Sequence, residues 1–388
     1  MNFIETDRRC MARALELASR GRYSTHPNPR VGCVLAHEGR IVGEGWHQRA
    51  GGPHAEVFAL QQAGAAAKGA TAYITLEPCA HYGRTPPCSL ALIEAGIRRA
   101  VVACQDPFHQ VDGNGLRLLR EAGIEVEVGL LREEAEALNL GFLSNARRGR
   151  PWVRLKYGMS LDGRTALADG ESKWITSEAS RHDVQLWRQA SSAILTSSAT
   201  VLADDPQLTV RIPFDQPVPP VKRIVLDRWS RVPAQARVFD TQAPTLVAHR
   251  YDNPPATDLA DHVERLPLLA RDDEKMLWEL MEVLGERSIH DLFVEAGARL
   301  GGALIKAGLV DELLLYVAPR LLGANARPLI EGLSPDSLAL APGFELYECT
   351  QLGDDVRLRL RAKARGIEQY RAHAWVAADE IGSLSQAR

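Results

Sequence analysis

Three short stretches decide the reading of the first third of this chain: Pro53-His54-Ala55-Glu56, Glu77-Pro78-Cys79 and Pro87-Cys88. The first opens an alanine-rich run over 54–66 that reads as a helix, so Glu56 falls in its first turn, two residues after His54. The second follows 71–75, whose alternation reads as a strand. The third places a cysteine at the start of a helix over 88–95, behind a proline that a first helical turn tolerates. One imidazole and two thiolates make three metal ligands. A catalytic zinc keeps three protein ligands and a fourth position for water, and lowers the pKa of that water to about 7. Glu56 lies close enough to reach such a water without binding the metal, which suits a carboxylate that carries a proton from water to a departing amine. Zinc suits this donor set best, and Fe²⁺ is the other metal it admits.

Working outward, 6–20 reads as a helix behind a threonine cap, and 31–35 with 41–42 as a hairpin around Glu38-Gly39. Strands at 101–103 and 124–128 flank a helix at 116–122, and a single helix is expected over 132–145. The basic stretch 147–151 reads as a domain boundary. A fresh alternation follows it, with strands at 152–157, 193–196, 223–227, 291–294 and 312–317 and helices at 180–189 and 301–307. The segment 213–220 holds four prolines and reads as a surface loop. Strand–helix alternation in both halves predicts an α/β protein with helices layered on sheets. Three segments follow: 1–149, 150–366 and a tail, 367–388.

Composition sets limits. The 388 residues are 45% hydrophobic and 24% charged, enough for two cored domains, and the formal charge of −3 opposes a nucleic-acid footprint. No apolar run long enough to span a membrane and no signal-type N-terminus is read, so a cytoplasmic protein without membrane contact is expected. The six cysteines are Cys10, Cys33, Cys79, Cys88, Cys104 and Cys349. In a reducing compartment they argue for metal ligation at Cys79 and Cys88 rather than disulfides. Cys10, Cys33 and Cys104, in apolar runs, read as core.

The order H-x-E then P-C is the signature of zinc deaminases acting on nucleobases, although eight residues separate Cys79 from Cys88 where that pattern has two. More specifically, HPNPRVGCV (26–34), GEGWHQRAGGPHAEV (43–57), TLEPCAHYGRTPPC (75–88) and QDP (105–107) resemble the deaminase half of the bifunctional riboflavin biosynthesis deaminase/reductase family. VRLKYGMSLDGRTAL (153–167), GESKWITS (170–177), ILTSSATVLADDPQLTVR (194–211) and VEAGARLGGALI (294–305) resemble its reductase half. The resemblance implies a cytidine-deaminase-like three-layer domain followed by a dihydrofolate-reductase-like domain that uses NADPH. The reactions implied are loss of the 2-amino group of a pyrimidine ribosyl phosphate, then reduction of its ribosyl group to ribityl.

The same resemblance assigns substrate contacts to Asn28, His47, His81 and Arg84 in the first half, and to Ser172, Arg188, Leu208, Arg211 and Glu295 in the second. It assigns cofactor contacts to Gly158, Trp174, Thr200 and Asp204 and to the run Gly297, Ala298, Arg299, Leu300, Gly301, Gly302 and Ala303. The residues alone show there only a strand, a glycine-rich turn and a helix N-terminus, a geometry that cradles phosphate. The reductive step needs a proton donor. Lys156 is preferred and Asp204 is the alternative. The competing reading is a nucleic-acid base deaminase with an unrelated second domain, which predicts a basic face and a short Cys-x-x-Cys spacing. A homo-oligomer, dimer or tetramer, is also expected, with the apolar strand 312–317 pairing across a two-fold axis.

Overall fold

The structure is a computed structural model that describes residues 3–82, 86–108, 111–255 and 258–363. The chain divides into two compact units. The first comprises residues up to Pro151 with Phe214–Pro219 and Leu284–His290, and the second comprises Trp152–Pro213, Pro220–Val283 and the chain from Asp291 onward.

In the first unit the elements run α1 (Glu5–Ser19), β1 (Gly32–His37), β2 (Arg40–Trp46), α2 (Ala55–Ala63), β3 (Thr71–Ile74), α3 (Cys88–Glu94), β4 (Arg99–Val102), α4 (Asn114–Glu121), β5 (Glu125–Val128), α5 (Arg132–Leu138) and α6 (Leu140–Arg148). The strands form one sheet ordered β2-β1-β3-β4-β5, antiparallel through β1 and parallel from β3 to β5. Successive residues of a strand face opposite ways. Cys33 and Leu35 therefore pack with Ala55, Ala59 and Leu92 on one side, while Val34 and Ala36 pack with Met11, Ala14 and Leu17 on the other. Both faces of the sheet are covered by helices, the three-layer arrangement expected. Cys10, Cys33 and Cys104 are buried in these clusters, as the apolar runs around them predict.

Two expectations need correction here. The first helix is capped at Ile4, not by Thr6. Asp7 reaches back to accept a hydrogen bond from the Ile4 N–H at 3.1 Å. The single helix expected over 132–145 is two helices broken at Asn139. The Asn139 amide leaves helical service to bind the Arg30 backbone, accepting from its N–H at 2.8 Å and donating to its carbonyl at 2.9 Å. A side chain that mimics a strand neighbour in this way competes with the helix.

The second unit contains β6 (Trp152–Ser160), β7 (Arg164–Ala166), α7 (Glu178–Gln189), β8 (Ala193–Ser197), α8 (Ser198–Asp204), β9 (Lys222–Leu226), β10 (Thr245–Arg250), β11 (Val263–Leu268), α9 (Asp273–Glu286, whose last turn falls in the first unit), β12 (Asp291–Val294), α10 (Ala298–Lys306), β13 (Glu312–Ala318), β14 (Arg327–Pro328), β15 (Phe344–Leu352) and β16 (Asp355–Ala362). Nine strands form one sheet ordered β11-β10-β9-β8-β12-β6-β13-β16-β15, parallel from β11 to β13 and antiparallel beyond. In such a sheet ligands bind beyond the carboxyl ends of the central strands, where β6, β8 and β12 end. The strand expected to pair across a two-fold axis is β13, and this is corrected. It lies inside the sheet between β6 and β16, so its hydrogen-bonding groups are already used, and the sheet edges are β11 and β15. The expected tail, 367–388, lies outside the described residues. No helix among the described residues is long and apolar enough to cross a membrane.

Candidate active sites

The metal-binding candidates meet because three local structures converge. His54 is the N-cap of α2 in extended conformation, and Glu56 lies in that helix's first turn. α2 sits close on β2 because Gly43 and Gly45 carry no side chain. A Cβ on Gly45 would come within 2.5 Å of the Ala55 carbonyl oxygen and of Phe58 Cβ. Pro87 caps α3, so Cys88 is its first residue. The Cys88 N–H donates to Cys79 Sγ at 3.3 Å and the Ser89 hydroxyl donates to the Cys79 carbonyl at 3.0 Å. The eight-residue segment between the two cysteines is thus closed at its ends by the helix start.

The ligand atoms of His54, Cys79 and Cys88 lie within 4.8 Å of one another. His54 Nδ1 is 3.5 Å from Cys79 Sγ and 3.3 Å from Cys88 Sγ. Tetrahedral zinc with bonds of about 2.3 Å to sulfur and about 2.05 Å to nitrogen separates those donors by about 3.5 Å. The residues therefore fit zinc, with Nδ1 as the imidazole donor. A hydrogen bond from the Cys88 thiol, aided by His54, holds Cys79 well below the ordinary thiol range, and Cys88 as the donor is pushed up.

Glu56 is buried beside this set. Burial, reinforced by Cys79, lifts its carboxyl to about 6. Its Oε2 has no hydrogen-bond partner among the described residues. An unpaired buried carboxylate oxygen is costly, and here it faces the reaction space. A cavity of about 540 Å³ is lined by Asn28, His47, His54, Glu56, Cys79 and His81, and also by Asp106 and Phe108. His47 Nδ1 lies 3.0 Å from the Pro53 carbonyl, which only accepts, so that nitrogen carries the proton. Burial keeps the ring neutral by lowering its pKa. Nε2 then accepts from the Asn28 amide nitrogen at 3.1 Å, which turns the Asn28 Oδ1 away from His47 as an acceptor. His81 Nδ1 is buried without a partner among the described residues. Arg84 lies outside the described residues. Asp106 was not singled out by sequence reasoning, although it stands in the QDP motif. Burial pushes its carboxyl up to about 7.

The second cavity, about 370 Å³, is lined by Lys156, Gly158, Ser172, Trp174, Arg188, Asp204, Leu208 and Arg211. Thr165, Arg181, Gln207 and Arg237 also line it, and sequence reasoning missed these four. Glu295, just beyond β12, accepts from Arg188 Nε at 2.5 Å and from its terminal nitrogen at 3.1 Å, and lies 3.7 Å from Lys156 Nζ. Burial alone would raise this carboxyl, but Arg188 and Lys156 overrule it and hold it at about 2. Burial lowers the Lys156 pKa, and Glu295 opposes the change. Trp174 is exposed and stacked by Arg181 at 4.4 Å. Thr200 sits in the first turn of α8, which Ser197 caps, and does not line this cavity.

Gly297 caps α10, so Ala298, Arg299 and Leu300 form a first helical turn whose N–H groups have no intrahelical partner. A Cβ on Gly297 would meet nothing within 4 Å, which leaves the approach to that turn open to a diphosphate. At Gly301 a Cβ would overlap the Tyr157 hydroxyl, and at Gly302 the Glu331 carbonyl, so both glycines are required by packing. Arg299 points to solvent and pairs with Glu331 at 2.9 Å. Ala303 continues the helix.

Residues 4–104 match the cytidine and deoxycytidylate deaminase zinc-binding region, and residues 151–358 match the RibD C-terminal domain. The riboflavin biosynthesis protein RibD of Escherichia coli is 52% identical over 361 residues, which cover 90% of this chain and 98% of the relative. The chain belongs to the RibD family. Its RibD relative in Haemophilus influenzae is 50% identical over 377 residues, 94% of this chain and 99% of that one. The solved RibD of Acinetobacter baumannii is 47% identical, with a TM-score of 0.86 over 92% of this chain and 99% of that one. A solved Thermotoga maritima protein described as a diaminohydroxyphosphoribosylaminopyrimidine deaminase/5-amino-6-(5-phosphoribosylamino)uracil reductase is 33% identical, with a TM-score of 0.83 over the same shares. As a RibD protein the chain joins a zinc-binding deaminase domain to an NADPH-dependent reductase domain.

Proposed function

We propose that this RibD protein performs two consecutive steps of riboflavin biosynthesis. The first hydrolyses the 2-amino group from 2,5-diamino-6-(5-phosphoribosylamino)pyrimidin-4-one. The second reduces the ribosyl group of the product, giving 5-amino-6-(5-phosphoribitylamino)uracil. The observation that carries this reading is the orphan Glu56 oxygen beside a three-donor metal set, on the same chain as a second cavity built around Lys156.

In the first site His54, Cys79 and Cys88 would hold zinc, which when bound would supply a water that is nucleophilic at neutral pH. Glu56 takes a proton from the attacking water and delivers it to the leaving nitrogen, so one water is consumed and one ammonia released. A carboxyl near 6 is suited to both halves of that transfer. Asn28 Oδ1 accepts from the pyrimidine edge, and His47 holds the amide in that orientation. His81, on the cavity wall, contacts the substrate, as Arg84 does by the family resemblance.

In the second site NADPH, when bound, would supply the hydride that reduces the opened ribosyl group. Gly158, Trp174, Thr200, Asp204 and the first turns of α10 bind the cofactor. Ser172, Leu208, Arg188 and Arg211 bind the substrate, and the two arginines match a sugar phosphate. Lys156 gives the proton that balances the hydride, and Glu295 keeps its ammonium charged. Residues 1–149 carry the deaminase and 150–366 the reductase. The protein acts in the cytoplasm, where the thiols of Cys79 and Cys88 stay reduced, as a homo-oligomer.

The test is a two-channel assay on zinc-loaded protein with the diaminopyrimidine substrate. Ammonia release without NADPH present, followed by NADPH oxidation once it is added, is the expected result. Ammonia with no NADPH consumption at any time assigns the second unit another role.

A further inference from the structure

The turn that presents Cys79 begins with Glu77, a carboxylate only 4% exposed that faces no cation in its hydrogen bonds. It accepts from four backbone N–H groups. Oε1 takes Gly115 at 2.9 Å and Leu116 at 3.2 Å; Oε2 takes Asp106 at 3.2 Å and Gly113 at 3.1 Å. Gly115 and Leu116 lie in the first turn of α4, whose own N-cap, Gly113, has no side chain to offer. Glu77 therefore caps that helix from 38 residues away in sequence, its charge at the positive end of the helix dipole. The fit is tight from the other side too, because a Cβ on Gly115 would overlap the Pro78 carbonyl oxygen. The segment so held carries Asp106, Phe108 and Val111, all on the wall of the deaminase cavity.

We propose that Glu77 is a positioning residue of the deaminase site, locking the wall that carries Asp106, Phe108 and Val111 onto the turn that carries the ligand Cys79. Glu77 itself also lines the cavity, but both of its oxygens are already taken by backbone N–H groups, so it acts through the wall it holds. Both of its oxygens are needed, each serving two donors. A glutamine is nearly the same shape but has one acceptor atom, so its NH₂ is set against one pair of N–H groups. That pair loses its partner and the wall detaches on one side.

This inference rests on the deaminase reading above, and its test separates the two. Full-length Glu77→Gln and Gly115→Ala are compared with wild type, zinc-loaded. The readings are ammonia-release kinetics, zinc content, hydrogen exchange over 105–116 and over α2, and NADPH oxidation with the deaminated substrate as a check that the chain folds. Each variant should raise KM for the diaminopyrimidine about tenfold or more while kcat stays within about threefold. Exchange should quicken over 105–116 but not over α2, with zinc content and reductase activity unchanged. Glu77→Asp, which keeps two acceptor oxygens, should fall between Gln and wild type. Unchanged exchange and KM in Glu77→Gln overturns the proposal, as does loss of zinc and kcat at unchanged KM. If Glu77→Gln does not accumulate as folded protein, Gly115→Ala decides by the same readings. A wild type that releases no ammonia sinks the deaminase reading instead, while the exchange measurement still judges the clamp.

Discussion

Replacing Gly301 by alanine should injure the reductase and leave the deaminase untouched. The methyl group would overlap the Tyr157 hydroxyl and come within 2.8 Å of Tyr157 Cζ and 3.3 Å of Leu155 Cδ2. Neither neighbour can retreat freely. Leu155 is fully buried, and Tyr157 is 4% exposed on a central strand. Forcing extra volume into a packed site costs about 1–3 kcal/mol. Relief comes most easily by lifting the start of α10, whose first turn is the proposed phosphate cradle. If the whole cost falls on cofactor binding, KM for NADPH rises about 5- to 150-fold. The Tyr157 hydroxyl itself has no partner among the described residues. Tyr157→Phe should therefore be neutral or slightly stabilising alone, and should recover part of the loss when combined with Gly301→Ala, since the contact with Cζ remains. Steady-state NADPH oxidation with the deaminated substrate gives the KM, and ammonia release from the same preparation is the internal control. A wild-type KM in Gly301→Ala, or no recovery in the double variant, refutes the reasoning.

Two further outcomes follow from the geometry. Chelating the metal should stop ammonia release yet spare reduction of the deaminated substrate, since the three donors lie in the first unit alone; enzyme assays before and after zinc return check it. Glu312 is fully buried between Arg154 at 3.0 Å and Arg359 at 2.7 Å, and these overrule burial to hold its carboxyl at about 2. Because the folded value lies below the ordinary one of 4.5, this stabilisation is complete above about pH 4.5 and is lost as pH falls toward 2. Glu312→Gln should cost the second unit about 3–5 kcal/mol at neutral pH and remove that acid dependence, as read by denaturant unfolding across pH.

The deaminase site was legible because its parts are short-range. A helix start, a strand end and a second helix start each carry their ligand at a fixed local position, and the donor types name the chemistry. The reductase site was not legible in that way. Lys156, Arg188 and Glu295 come together across 107 residues between the arginine and the glutamate, and each is an ordinary residue in its own neighbourhood. Only resemblance to a family brought them together beforehand. Glu77 was read as part of a ligand motif, but its four partners lie 29–39 residues on, where nothing local marks them. The break at Asn139 escaped for the same reason, since its partner Arg30 is 109 residues away. The strand at 312–317 was placed correctly and its role was not, because β16, which covers it, comes later in the chain as alternating Arg and Leu.

The proposed function gives one chain two separable active sites working in sequence. Its most direct test uses Glu56→Gln and Lys156→Met, each assayed alone and then mixed, with ammonia and NADPH followed together from the diaminopyrimidine substrate. Glu56→Gln should release no ammonia but still reduce the deaminated substrate; Lys156→Met should release ammonia and oxidise little NADPH. The mixture should restore the whole sequence. Ammonia release by Glu56→Gln, or loss of both activities in either variant, would contradict the assignment of one step to each site.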